Sequence, residues 1–183
     1  NLRINTNLSK VDTRVFEHVC EFPNVHWTVS AETMDSEYEY IRYGGKWQDF
    51  NDNLEIIRKL DHKISFNMLY FLLNFKSLFD CVDYFRHKGF HNNSFIIGAL
   101  TGPVYLNVRH LPESVLQSLE QTLMNRINES PGYLLEDSYR NLLRYIQQPF
   151  DKDLNNSFRR LQELDQLRNL NSKEIFTDLY KLI

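Results

Sequence analysis

Two different hydrophobic spacings alternate along the first hundred residues. Apolar side chains recur at every second position, or form short β-branched runs, over residues 2–6, 25–29, 63–70 and 94–100. These four segments are typical of β-strands. Between them lie stretches with apolar residues three or four positions apart, which predict helices over residues 11–20, 50–60 and 77–88. The order β-α-β-α-β-α-β predicts parallel strands joined by right-handed crossovers.

The pattern changes after Thr101-Gly102-Pro103. From there the spacing is helical to the end of the chain, beginning with a helix that Pro112 and Glu113 open. A later row of apolar residues recurs every three positions and predicts a surface helix that packs on the preceding part; the row is Phe158, Leu161, Leu164 and Leu167. We therefore expect an α/β fold, with parallel strands and helices over 1–101 and an all-helical extension over 102–183.

Composition and charge narrow the class of protein. The 183 residues are 42% hydrophobic and 25% charged, as in an ordinary globular protein, and the net charge is −3. That charge provides no long-range attraction to nucleic acid or to an anionic membrane. The longest apolar run, 68–73, is far shorter than the roughly 20 residues of a membrane span. Cys20 and Cys81 fit free thiols in a reducing cytoplasm, with a structural disulfide as the alternative.

Polar side chains follow three of the predicted strands. Asn7 and Ser9 come after the first strand, Ser30 and Glu32 after the second, and Asn67 lies late in the third. The carboxyl ends of parallel strands meet at one edge of a sheet, where ligands of α/β proteins bind. This polar and largely uncharged set suits hydrogen bonding to a polar small molecule. The alternative is that Asn7, Ser9 and Ser30 are turn and N-cap residues.

Arg42 is the candidate for binding a carboxylate. It precedes Gly44-Gly45, which lets the backbone turn tightly, and a guanidinium fork matches a carboxylate well. The alternative is a surface ion pair with Glu39 or Asp35. The sequence contains no His-Glu-x-x-His zinc motif, no Gly-x-Ser-x-Gly elbow and no phosphate-binding loop, so zinc protease, hydrolase-triad and P-loop chemistry are not indicated.

The order of these segments resembles a known family. Residues 4–9 (INTNLS), 25–30 (VHWTVS) and 40–47 (YIRYGGKW) resemble the middle of radical S-adenosylmethionine (SAM) proteins. More narrowly, the chain is similar to the phage-type members that contain a twitch domain. Asn67 and the segments 100–106 and 164–168 also match, so the resemblance covers nearly the whole chain. It implies a partial TIM-type (β/α) barrel and, for a phage protein, a place in the host cytoplasm.

The resemblance also implies a chemistry. In that family a Cys-x-x-x-Cys-x-x-Cys loop holds a 4Fe–4S cluster, and reductive cleavage of SAM yields a 5′-deoxyadenosyl radical that abstracts a substrate hydrogen. Ser30 and Arg42 match the positions that hold the methionine carboxylate of SAM. Asn7 and Ser9 would line the cofactor-facing rim with Asn67, and Glu32 would face the ribose or the substrate. An electron donor and a small-molecule or peptide substrate are the implied partners.

The chain departs from the family pattern at the cluster. It has no three-cysteine loop, and no cysteine follows Cys81, so we expect neither a main nor an auxiliary cluster on these residues. Because the chain opens at Asn1 directly on a strand-like run, we expect a truncated start and a catalytically silent fragment. The alternatives are a non-catalytic binding or scaffold protein that keeps a half-barrel, and an unrelated aldolase-like barrel.

Overall fold

The strands and helices follow the alternation in the sequence. A computed structural model describes residues 1–11 and 13–182. Its elements in chain order are β1 Leu2–Thr6, α1 Arg14–Cys20, β2 Val25–Ser30, α2 Asp35–Ile41, α3 Trp47–Arg58, β3 Lys63–Tyr70, α4 Ser77–His87, β4 Phe95–Ala99, α5 Glu113–Glu129, α6 Leu134–Ile146, α7 Leu154–Arg168, α8 Ser172–Ile175 and α9 Thr177–Tyr180. Short 3-10 turns lie at Leu72–Asn74, Asn92–Ser94, Val104–Leu106 and Val108–His110.

The four strands form one parallel sheet in the order β1-β2-β3-β4. Parallel α/β organisation and a helical C-terminal part were predicted, and both are confirmed. Within the described residues β1 and β4 do not pair with each other, so the sheet is open. Each strand directly neighbours the next one in sequence, and right-handed crossovers in this order place the connecting helices on one face of the sheet.

The helices that connect the strands pack on a single face of the sheet. Trp27 of β2 contacts Phe16 of α1, with ring centroids 5.9 Å apart. Phe66 of β3 stacks on Phe85 of α4 at 4.1 Å, and Phe50 of α3 joins the same cluster. Alternate residues of every strand therefore point into one aromatic core.

The opposite face of the sheet is polar and partly exposed. Successive residues of a strand point to opposite faces, and the residues between the core-facing ones form this second face. The register of the strands aligns their side chains in rows across the sheet. The polar members are Arg3, Asn5, His26, Thr28, Ser30, Lys63, Ser65 and Asn67, and the remaining residues of this face are Leu69, Ile96 and Gly98. We call this surface the open face. The core-facing positions of the same strands are apolar except for Thr6, and the two faces therefore meet different environments.

Several predicted boundaries shift for local reasons. Helix α1 begins at Arg14 because the hydroxyl of Thr13 accepts a hydrogen bond from the Phe16 N–H and caps it; residue 12 lies outside the described part. The fourth strand begins at Phe95, after the 3-10 turn over Asn92–Ser94. The third predicted strand, Lys63–Tyr70, is confirmed at both ends.

Two expectations about helices were incomplete. Helix α2 was not predicted: its buried residues Tyr38 and Tyr40 are two positions apart and so point to opposite sides, one to the Trp47 ring and one to Phe176. The apolar row at every third position of α7 was expected to pack as one face, and this was wrong for Leu167. Three residues turn a helix by about 300°, so the row winds around it. Phe158 is buried, whereas Leu167 is 84% exposed.

The C-terminal helices complete the core and cover one edge of the sheet. Buried residues from both predicted parts, 1–101 and 102–183, belong to one hydrophobic cluster. Helix α6 lies against β4, where the buried Ser138 hydroxyl accepts a hydrogen bond from the Ile97 N–H at 3.0 Å. None of the helices in the described ranges is long and apolar enough to cross a membrane.

We expect Ser138→Ala to lower the free energy of unfolding by about 1–3 kcal/mol, because the Ile97 N–H would be buried without an acceptor. Urea denaturation measures the change. Ser118→Ala, at an exposed position of α5, is the control and should alter stability by less than about 0.5 kcal/mol. Equal effects of the two substitutions would contradict the role assigned to Ser138.

Candidate functional site

The carboxyl ends of β2 and β3 border a cavity beneath the C-terminal helices. Its volume is about 310 Å³. The lining comes from the segments that follow β2, β3 and β4 and from α7; it consists of Glu32, Tyr40, Ile41, Arg42, Leu69, Phe71, Leu73, Leu100, Tyr105, Leu106, Leu164 and Arg168. Two of the predicted site residues, Glu32 and Arg42, therefore share one cavity at the expected edge of the sheet.

Glu32 and Arg42 form a bidentate ion pair. Arg42 Nε donates to one carboxylate oxygen of Glu32 at 3.0 Å, and Nη2 donates to the other at 2.5 Å. The Glu32 side chain is only 4% exposed and that of Arg42 is 28% exposed. Burial raises the pKa of Glu32, and the guanidinium opposes that shift. The alternative partners of Arg42 were wrong, since Glu39 binds Lys46 instead.

A tight turn after α2 aims the Arg42 side chain. Arg42 is the C-cap of that helix, and the Gly45 N–H donates to its carbonyl at 2.7 Å. Gly44 has a φ of +89°, which favours glycine, and a Cβ at Gly45 would lie 3.0 Å from the Arg42 carbonyl oxygen. The two glycines therefore allow the tight backbone turn beside Arg42 that the sequence predicted.

A buried asparagine that the sequence analysis missed holds the Glu32 backbone. Asn74 Nδ2 donates to the carbonyls of Glu32 and Leu69, at 3.0 and 2.8 Å, and Oδ1 accepts from the Phe71 N–H. Asn74 is fully buried, so these bonds satisfy its amide where water cannot. The available signal was an isolated amide inside the apolar run 71–75.

Ser30 and Asn67 lie side by side on the open face. They are cross-strand partners in the β2–β3 register; Ser30 is half-buried and Asn67 is exposed. Asn7 and Ser9 lie apart from them in the turn after β1, where Asn7 Oδ1 accepts from the Ser9 N–H at 3.1 Å. That is the contact expected if Asn7 is a turn residue.

Asp165 and Arg168 of α7 form hydrogen bonds with α2 next to Arg42. The sequence did not reveal this role of the two residues. Asp165 Oδ1 accepts from the Tyr40 hydroxyl at 2.8 Å, and Arg168 Nη1 donates to the Tyr40 carbonyl at 3.1 Å. Asp165 Oδ2 also accepts from the N–H and the hydroxyl of Ser172. Segment 164–168 therefore fixes both ends of Tyr40, two residues before Arg42.

The described residues do not fit a 4Fe–4S cluster. Such a cluster needs three thiolates, and Cys20 and Cys81 are both free, on separate helices. Burial raises the pKa of both thiols, which disfavours the thiolate. No group of three or more His, Cys, Asp or Glu side chains in residues 1–11 and 13–182 could hold a metal ion.

We expect Arg42→Gln to lower the free energy of unfolding by about 2–4 kcal/mol, because it leaves the buried Glu32 carboxylate without its counter-ion. Adding Glu32→Gln should recover at least half of that loss. Burial raises the pKa of Glu32, so the folded single variant takes up a proton more readily than the unfolded chain. Its deficit should therefore shrink as the pH falls from about 7 to about 5.

Urea midpoints of the three proteins at both pH values test this expectation. A deficit that is the same at both values, or a double variant no more stable than Arg42→Gln, would contradict the assignment of Glu32 as a buried charge that Arg42 compensates.

Comparison with known proteins does not provide a family for this chain. No protein family model, no curated protein and no solved structure matches it.

Proposed function

We propose that this chain forms the SAM-binding side of a radical SAM (β/α) barrel. The observation that carries the proposal is the open face: four parallel strands in sequence order have helices on one face, and β1, β2 and β3 present mainly polar side chains on the other. In a (β/α) barrel the helices lie outside and the other face of each strand points inward. Ser30 and Asn67 lie on the open face near the carboxyl edge, and in such a barrel they would point inward.

The ion pair leaves Arg42 able to bind a second carboxylate. A guanidinium has five N–H donors, and Glu32 engages Nε and Nη2. Nη1 has no hydrogen-bond partner among the described residues. Glu32 thereby fixes the plane of the guanidinium while its other edge remains available. In the proposed complex Arg42 and the Ser30 hydroxyl bind the methionine carboxylate of SAM, and Asn67 donates to the same ligand.

The proposal for these residues is confined to binding. Generation of a 5′-deoxyadenosyl radical requires cluster ligands that the described residues do not supply. Ser30, Arg42 and Asn67 bind and orient SAM, and Glu32 positions Arg42.

An NMR titration with SAM tests the proposal. We expect saturable shifts of the Ser30 and Asn67 amide signals and of the Arg42 Nε–H signal. Ser30→Ala should weaken binding about three- to tenfold, the equivalent of one hydrogen bond. Ser114→Ala, at an exposed position of α5, should leave binding unchanged. Methionine should shift the Arg42 signal and adenosine should not.

The absence of any saturable shift on the open face would refute SAM binding by this chain. Shifts that are unaffected by Ser30→Ala would refute the assigned site.

A further inference from the structure

The cavity beside Arg42 has walls of a different character from the open face. Nine of its twelve lining residues are apolar or aromatic, and the remaining three are Glu32, Arg42 and Arg168. Leu69, at the end of β3, is 36% exposed, which leaves apolar surface in contact with solvent. The cavity is lined from both parts of the chain, because Leu164 and Arg168 come from α7.

The charged groups of the cavity do not balance. Both carboxylate oxygens of Glu32 accept hydrogen bonds from Arg42, so the positive charge of Arg168 has no counter-charge among the lining residues. Arg168 donates from Nη1 to the Tyr40 carbonyl and lies 5.0 Å from the centre of the Tyr43 ring. In the part of the chain that the structure describes, no carboxylate forms a salt bridge with it. One uncompensated cation therefore borders an apolar space.

We propose that this cavity binds a small carboxylic acid with an apolar body. The apolar walls favour a hydrocarbon or aromatic group, and Arg168 favours one negative charge on it. A volume of about 310 Å³ equals that of about ten water molecules, so the ligand has roughly ten non-hydrogen atoms. Arg168 would repel a cationic ligand. A highly charged anion would lose its hydration against the apolar walls, which costs free energy.

This inference deepens the proposed function, and it rests on that function only in naming the acid as the substrate class. SAM would bind through Ser30 and Arg42, and the acid would bind in the cavity, against Arg168. The two ligands therefore depend on different residues.

Phenylacetate and its neutral analogue phenylacetamide are the probes for an NMR titration of the full chain. We expect phenylacetate to shift the methyl signals of Leu69, Leu100 and Leu106 saturably, and phenylacetamide to bind at least about fivefold more weakly. Arg168→Gln should abolish that difference. The control Arg159→Gln changes an exposed arginine of the same helix and should preserve it.

Circular dichroism of each variant establishes that it folds, and Arg168→Lys, which keeps the charge, should retain part of the preference. Equal binding of the two probes to the unchanged protein, or no binding of phenylacetate, would overturn the proposal. The SAM titration separates the two proposals: Ser30→Ala should weaken SAM binding and leave phenylacetate binding intact. Loss of SAM binding alone would count only against the proposed function.

Discussion

One-sided burial of the parallel sheet is the constraint on which the rest of this structure depends. Strands that follow each other in order, with crossovers of one hand, place every connecting helix on the same face. That face becomes the core, where the stacked rings of Phe66, Phe85 and Phe95 lie between sheet and helices. Among the residues that the structure describes, none of the helices that connect the strands covers the other face, and most of its side chains are polar. A surface available for binding is thus a consequence of the topology.

The buried Glu32–Arg42 pair gives this edge of the sheet its chemical character. A carboxylate that is 4% exposed is costly unless a cation and further hydrogen bonds compensate it. Arg42 supplies two of those bonds, and Asn74 ties down the Glu32 backbone. Such a pair contributes little net stability, but it fixes the plane of a guanidinium. A guanidinium held in a fixed orientation is better suited to binding a ligand.

The C-terminal helices connect this edge to the remainder of the chain. Asp165 and Arg168 hold the side chain and the carbonyl of Tyr40, while Ser138 accepts from the edge of β4. These contacts join residues more than forty positions apart, or more than a hundred in the case of Tyr40. The cavity and its proposed ligand preference exist only because α7 lies over the strand ends.

The sequence by itself determined the strands and most of the helices, because hydrophobic spacing reports which face of an element is buried. It also indicated the edge of the sheet at which the candidate site lies. It also singled out Glu32 and Arg42, although not as partners. Tertiary structure alone decided that pairing, the burial of Asn74 and the helix α2, whose tyrosines pack against two different layers. Spacing reports one buried face, whereas contacts between distant segments depend on how the elements assemble.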